Sequence, residues 1–370
     1  MKKFLAIILF LINIPLLLLL VMAIMAPYIP PDKIVFPAFA GLSFLWIFLA
    51  NLIVTILLLF LKAKMAILGI IMLLFSLYDV SQHYRFTSEQ KQAKETIKLL
   101  SYNCQGLYSN YEKKHGKVLS DSIARFISEQ QPDIVCLQEF RGVEEEEINS
   151  FMDDFSKKIN ADDFHYQRYF IDHSENSSLC LITLSKFPVV GRNAILLGKR
   201  RIGMYTDLLI RGDTARVFNI HLQSTRLRQN DIDFVINNTP DLQNRENYKN
   251  IYFKLANAFR LRAQQARLIA LEINKSPHPV IVCGDFNDTP TSFAYHRIAK
   301  NLEDAFVKSG NGLGNTYNNP LLPPIRIDYI LFSNKFQSAT FSVLHAPYSD
   351  HFPVVAELNN RTTLDKNQAK

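Results

Sequence analysis

Two hydrophobic patterns divide this chain. Up to about residue 79 the apolar residues form long unbroken runs; beyond about residue 97 they form short blocks, each closed by a polar or charged side chain. Phe4 to Ala26 is an uncharged run of about 23 residues, long enough to cross a hydrocarbon core at about 1.5 Å per residue and too long for the core of a signal peptide. Ile34 to Leu61 is a second such run, and Met65 to Tyr78 a third, marginal for a span at about 14 residues and open to a re-entrant or interfacial reading. The pattern predicts a membrane region over 1–79 with two or three transmembrane helices (about 4–26, 34–61 and 65–78), a polar linker over 80–96, a globular domain over 97–358 and a disordered tail over 359–370.

Within the globular part the short blocks predict strands that carry polar groups at or near their ends. Leu99–Leu107 runs to Asn103, Ile134–Phe140 to Gln138 and Glu139, and Val217–Ser224 to His221. Pro279–Pro290 places Val280, Ile281, Val282 and Cys283 before Gly284, then Asp285 and Asn287. Arg326–Phe332 carries Asp328, and Tyr348–Val355 carries Asp350 and His351 ahead of Pro353. Strands bury their middles and present their ends, so such a set can gather a site along one rim of a sheet. Cys180–Ser185 predicts a further strand. Ser120–Ser128 predicts a helix with Ile123, Phe126 and Ile127 on one face, ended by Gln131-Pro132, and 257–273 predicts another. Thr225–Lys254, rich in Asn, Asp and Arg, and Asn311–Pro324, with Tyr317, read as long irregular connections beside the site. The acidic tract Glu144–Glu147 reads as a solvated helix start rather than a metal site.

Taken singly, these polar residues carry little. Asp285 and Asn287 sit at i, i+2, where an extended backbone aims both the same way, yet Asp and Asn after a strand are also turn formers. His221 alone is equally a half-buried strand histidine. Asp328 inside an apolar strand is more demanding, since a buried carboxylate needs a partner.

The ordered set Asn103, Gln138-Glu139, His221, Gly284-Asp285-Phe286-Asn287, Asp328 and Ser349-Asp350-His351 resembles the endonuclease/exonuclease/phosphatase superfamily of deoxyribonuclease-I-like phosphodiesterases, over roughly Ile97 to Leu358. The resemblance implies an α/β, four-layer sandwich of two face-to-face β-sheets flanked by helices, and Mg²⁺-dependent hydrolysis of a phosphoester, with Mn²⁺ as an alternative ion. It implies Glu139, Asn103 and Asp350 as metal ligands and His351 as general base oriented by Asp328. Asp285 and Asn287 would orient water and a phosphate oxygen, and His221 would donate to the phosphate. Arg326, flanking the Asp328 strand, is a further candidate substrate contact. Gln105 stands where abasic-site endonucleases of the exonuclease III type carry an acid, and the lone tryptophan, Trp46, lies outside the domain, so an abasic-site repair role is disfavoured.

Charge narrows the substrate. Of 41 Lys plus Arg and 34 Asp plus Glu, the first 98 residues hold nine and four, leaving 32 and 30. The globular part is thus near neutral and lacks the bulk basic character of a nucleic-acid binder. The expectation is a membrane-anchored phosphoesterase acting on a lipid headgroup, a nucleic acid or a small ester, with an inactive membrane scaffold as the last alternative. Its partners are the bilayer and a phosphoester substrate; no obligate protein partner is inferred. Lys2 and Lys3 against Lys33 put the N-terminus in the cytoplasm, and three spans would then deliver the catalytic domain outside it. Cys104, Cys136, Cys180 and Cys283 all lie in apolar strand blocks and read as buried free thiols rather than a zinc set.

Overall fold

The computed structural model describes residues 2–61, 64–86, 95–105, 117–142, 145–172, 177–225, 227, 229–237, 244–320 and 322–361. The chain divides into two compact units. One comprises Met1–Tyr84, Ser224–Ala266 and Asp288–Arg297; the other comprises Arg85–Gln223, Arg267–Asn287 and Ile298–Lys370.

The first unit is helical. Among the described residues Lys2–Met25 alone is a single helix long and apolar enough to cross a membrane. The second and third apolar runs are broken: Phe36–Leu42 and Phe44–Phe60 reach that length only together, across a 75° bend, and Ala66–Phe75 and Leu77–His83 only together, across a 50° bend. A serine sits at each break. At the second, Ser76 Oγ donates back to the Leu73 carbonyl at 2.8 Å, a local bond that competes with the helical ladder and bends it. The segment expected as a linker from residue 80 begins inside the helix Leu77–His83, and 87–94 lie outside the described residues, as does the tail beyond 361. The stretch Thr225–Lys254 is not an irregular connection. It contains the helix Gln229–Asn237 and the start of Arg245–Asn274, a 30-residue helix that begins well before the expected 257. Its apolar residues, Tyr248, Ile251, Leu255 and Phe259, keep helical spacing beneath a polar composition. Phe39 stacks on Tyr252 at 5.2 Å and meets Phe259 edge-on at 5.1 Å, beside buried Val35, Ala38 and Ala256.

The second unit contains twelve strands among the described residues: β1 (Thr96–Asn103), β2 (Ile134–Gly142), β3 (Asp163–Asp172), β4 (Ser177–Ser185), β5 (Val189–Leu197), β6 (Arg200–Ile210), β7 (Asp213–His221), β8 (Val280–Asp285), β9 (Glu303–Asp304), β10 (Asp328–Phe332), β11 (Phe336–Val343) and β12 (Val354–Asn360). They form two six-stranded sheets, ordered β11-β12-β1-β2-β4-β3 and β5-β6-β7-β8-β10-β9, with β1/β2 and β7/β8 the parallel pairs at their centres. Side-chain alternation assigns the layers. Leu99, Ile134 and Cys136 of one sheet join Val217, Ile281, Cys283 and Ile330 of the other in the core between the sheets. Their neighbours Leu100, Val135 and Leu137 face outward onto Ile123 and Ile127 of the helix Lys117–Glu129 and Met152 and Phe155 of the helix Glu145–Ile159. The four cysteines are free and buried.

The inner face changes character along each central strand. It runs Leu99, Ser101, Asn103 on β1; Ile134, Cys136, Gln138 on β2; Val217, Asn219, His221 on β7; Ile281, Cys283, Asp285 on β8; and Phe332, Ile330, Asp328 in reverse on β10. Register puts Asn103 opposite Gln138, and His221 and Asp328 on either side of Asp285. The apolar core therefore ends in a polar row at one edge of both sheets. Gly284, at φ +150°, is what lets β8 sit so close to β7, since a Cβ there would overlap the Ile220 carbonyl oxygen. Gly284→Ala is expected to destabilise the chain by about 3 kcal/mol or more, combining backbone strain with overpacking. Thermal unfolding of the detergent-solubilised protein checks this, and an unchanged midpoint would contradict it.

Candidate active site

Asp285, fully buried, is the centre of the polar row. Its Oδ1 accepts from the Asn287 backbone N–H at 2.7 Å, while Oδ2 accepts from Asn287 Nδ2 at 2.9 Å and from Asn103 Nδ2 at 3.0 Å. The last of these bonds joins the two sheets. Two histidines flank the same oxygen: His221 Nε2 lies 3.4 Å and His351 Nε2 3.8 Å from Asp285 Oδ2. His221 Nε2 also lies 3.1 Å from Glu139 Oε1, and His351 Nδ1 lies 2.9 Å from Asp328 Oδ2.

Several backbone devices hold these groups. Glu139 and Asn287 both have φ of +52°, an unfavourable region for residues with side chains, and Gln105 has +47°. At Glu139 the β2–β4 ladder slips between Leu137 and Phe140, which takes the residue out of regular pairing, and its carboxylate meets His221. Thr316 Oγ1 accepts from the N–H groups of Ile327 and Asp328, and Ser349 Oγ accepts from His351 N–H and donates to the Asn103 carbonyl. Asp350 N–H meets Gln105 Oε1 at 3.3 Å, bringing the loop before β12 beside the end of β1. Tyr317 bridges to His351 by backbone and stands edge-on to its ring at 5.2 Å.

The electrostatics follow from this crowding. Burial works against ionisation of Asp285, but the charges and hydrogen bonds of His351 and His221 outweigh it and hold the carboxyl below its ordinary range. Glu139 is likewise lowered, burial being overcome by the His221 hydrogen bond and charge. Asp328 is raised to about 6 by burial, with the Asp285 charge adding to it, and Asp350 is raised by burial and by Glu139 and Asp285 nearby. Burial disfavours a charged His351, yet Asp328 and Asp285 lift it to about 10; His221 is lifted to about 10 against burial by Asp285 and Glu139. Four carboxylates thus share one polar row with two imidazoles.

Of the residues singled out from sequence, Asn103, Glu139, His221, Asp285, Asn287, Asp328, Asp350 and His351 come together here. Arg326 does not join them. Its buried Nη1 pairs with Asp304 at 2.7 Å and its guanidinium lies over the rings of Phe306 (4.4 Å) and Tyr329 (4.6 Å), so it supports the core beside β10. Sequence reasoning missed Asn219, whose side chain accepts from Gln138 at 2.8 Å and donates to the carbonyls of Leu137 and Ile182, tying the sheets together behind the site. It sits two residues before His221 on the same inner face, which was the available signal. Tyr169, edge-on to the His221 ring at 5.3 Å, was also missed.

Comparison with known proteins agrees with this architecture. No curated protein matches the chain in sequence. A solved endonuclease/exonuclease/phosphatase from Beutenbergia cavernae is similar in fold with a TM-score of 0.53 at 17% identity, covering 72% of this chain and 72% of that one. An endonuclease/exonuclease/phosphatase family protein from Leptotrichia buccalis gives 0.51 at 17% identity, covering 71% and 99%. One from Bacteroides vulgatus gives 0.51 at 18%, covering 72% and 100%. Residues 3–83 match a domain of unknown function. The sequence model of the endonuclease/exonuclease/phosphatase family matches residues 100–351, about two thirds of the chain. The chain therefore belongs to the endonuclease/exonuclease/phosphatase family, whose members are metal-dependent hydrolases of phosphoester bonds.

Proposed function

We propose that this protein is a membrane-anchored phosphoesterase that hydrolyses its substrate by in-line attack of water with the help of Mg²⁺ or Mn²⁺. The observation that carries the reading is the polar row itself, in which the carboxylates of Glu139, Asp285, Asp328 and Asp350 outnumber the two imidazoles at one edge of the sheets. The surplus of carboxyl groups over imidazoles and the all-oxygen donors, the Glu139 and Asp350 carboxylates with the Asn103 carboxamide, suit a hard divalent cation. When bound, such a cation supplies positive charge against the phosphoryl oxygens and the leaving group.

The remaining residues take roles that their geometry supports. Asp328 holds Nδ1 of His351, which leaves Nε2 as the atom that takes a proton from water. Asp328 and Asp285 hold His351 protonated; a cation held by Glu139, Asn103 and Asp350 would offset that negative charge and favour the neutral imidazole, whose Nε2 is the atom placed to take the proton. Asp285 and Asn287 orient water and a phosphoryl oxygen, and His221 donates to that oxygen as charge builds. The near balance of charge beyond residue 98 and the apolar N-terminal helix favour a lipid headgroup or small phosphodiester over nucleic acid as substrate. The lysine asymmetry supports a cytoplasmic N-terminus and an extracytoplasmic catalytic unit.

His351→Ala and Glu139→Gln are expected to lower kcat/KM by about 10²–10⁴-fold. The panel is bis-p-nitrophenyl phosphate, phospholipid vesicles, RNA and plasmid DNA; full activity in either variant would sink the assignment, and steep loss with salt on nucleic acid alone would move the substrate class. Because His221 and His351 stand near 10 without metal, Mg²⁺ binding expels protons, so Mg²⁺ affinity should rise with pH between about 6 and 9. Calorimetric titration at several pH values tests the sign, and affinity that falls or stays flat refutes it. A reporter fused after Lys370 that works only outside the cytoplasm should be active, whereas activity of a cytoplasm-only reporter would reverse the orientation.

A further inference from the structure

β3 and β4 are paired antiparallel, but their register steps from Arg168 opposite Cys180 to Phe170 opposite Leu179, so Tyr169 is an extra residue with no partner on β4. Such a bulge turns one side chain out of the normal alternation, and bulges recur beside active sites because they re-aim a residue. Here the redirected ring stands edge-on to His221, with centroids 5.3 Å apart and planes at 65°. Its hydroxyl is buried and has no hydrogen-bond partner among the described residues. Leaving a buried hydroxyl unpaired costs about 1–3 kcal/mol, and a phenylalanine would fill the same space without that cost. The residue that the hydroxyl accompanies, His221, is already bonded to Glu139 and neighbours Asp285.

We propose that the Tyr169 hydroxyl is a further catalytic donor, which hydrogen-bonds a non-bridging phosphoryl oxygen of the substrate and strengthens as charge gathers there. The inference rests on the phosphoester reading of the site given above. It explains the three features together: the bulge aims the ring, His221 steadies it, and the substrate oxygen is the acceptor that the hydroxyl lacks. Burial and the carboxylates of Glu139 and Asp285 push the phenol well above its ordinary range, so it stays a donor and is not a base. Hydrolysis is unchanged in its balance: water adds to phosphorus, the ester oxygen leaves, and Tyr169 keeps its proton throughout.

The test compares full-length wild type, Tyr169→Phe and Tyr169→Ala in detergent with Mg²⁺, using bis-p-nitrophenyl phosphate as substrate and orthovanadate as a mimic of the five-coordinate transition state. Tyr169→Phe should lower kcat about 100-fold, the scale of one lost donor to developing charge, with KM changed less than about threefold. Vanadate affinity should fall by a factor similar to kcat, while Mg²⁺ affinity and the unfolding midpoint hold or improve. A purely structural role predicts the reverse: phenylalanine active and alanine inactive or unfolded. Wild-type kcat and vanadate affinity in Tyr169→Phe would overturn the inference while leaving the phosphoester reading intact. A wild-type protein that neither hydrolyses the diester nor binds vanadate would overturn both.

Discussion

A carboxylate with no exposure at the junction of two sheets is the constraint around which this molecule is arranged. Asp285 is ionised although buried, and that state survives only because five groups answer it: two donors from Asn287, one from Asn103, and two imidazolium rings. These groups come from four places in the chain: β1, the turn after β8, β7 and the loop before β12. Satisfying one buried charge thus specifies how both sheets must meet. The same requirement explains the layer beneath, where Gln138 and Asn219 bond each other and the backbone across the sheets before the core turns fully apolar at Cys136, Val217 and Cys283. A polar network of this kind stabilises only when its members are paired, and it rigidifies the row above it.

Backbone strain marks the residues whose direction matters most. Glu139 and Asn287 adopt left-handed dihedrals, which favour glycine, yet neither position can be glycine if a carboxylate and a carboxamide are to stand there. Each is compensated locally: Asn287 N–H bonds Asp285, and Glu139 bonds His221. Tyr169 is aimed by a third irregularity, the register slip on β3. Regular strands supply the row, and its exceptions supply the groups that reach beyond it.

This division also explains what could be read from the sequence. The apolar blocks ending in Asn103, Glu139, His221 and Asp285 announced themselves because strand burial and strand ends have simple signatures, and the ordered set of six motifs carried the family. Arg326 looked like a substrate contact because it borders Asp328, but alternation alone does not reveal that Asp304, over 20 residues earlier, is its partner. Tyr169 was silent because a bulge has no compositional mark. The helices within Thr225–Lys254 are masked by composition: Asn, Asp and Arg read as loop, whereas Tyr248, Ile251, Leu255 and Phe259 keep the helical repeat. The breaks near Ser43 and Ser76 were equally invisible in hydropathy, which records how apolar a run is and not whether it is straight.

The N-terminal unit is more than a greasy peg. Asn51 Nδ2 donates to the carbonyls of Leu16 and Ile47, so a side chain from the second run meets the first helix through a hydrogen bond, and Gly69 lies against Thr55 with no room for a Cβ. Small residues and interhelical polar bonds are how apolar helices pack when the surroundings are as apolar as they are. The same unit includes residues 224–266 and 288–297, which lie inside the span matched by the family. Thr291 donates to the Gly41 carbonyl at 2.7 Å, and Arg262 pairs with Asp288 at 2.9 Å where both are buried. Phe39 lies between Tyr252 and Phe259. A single apolar helix would suffice to hold an enzyme at a bilayer; the aromatic and polar contacts that Phe39 and Gly41 make with residues from far along the chain serve no such purpose. They make the N-terminal segment part of a folded body to which the family sequence itself contributes.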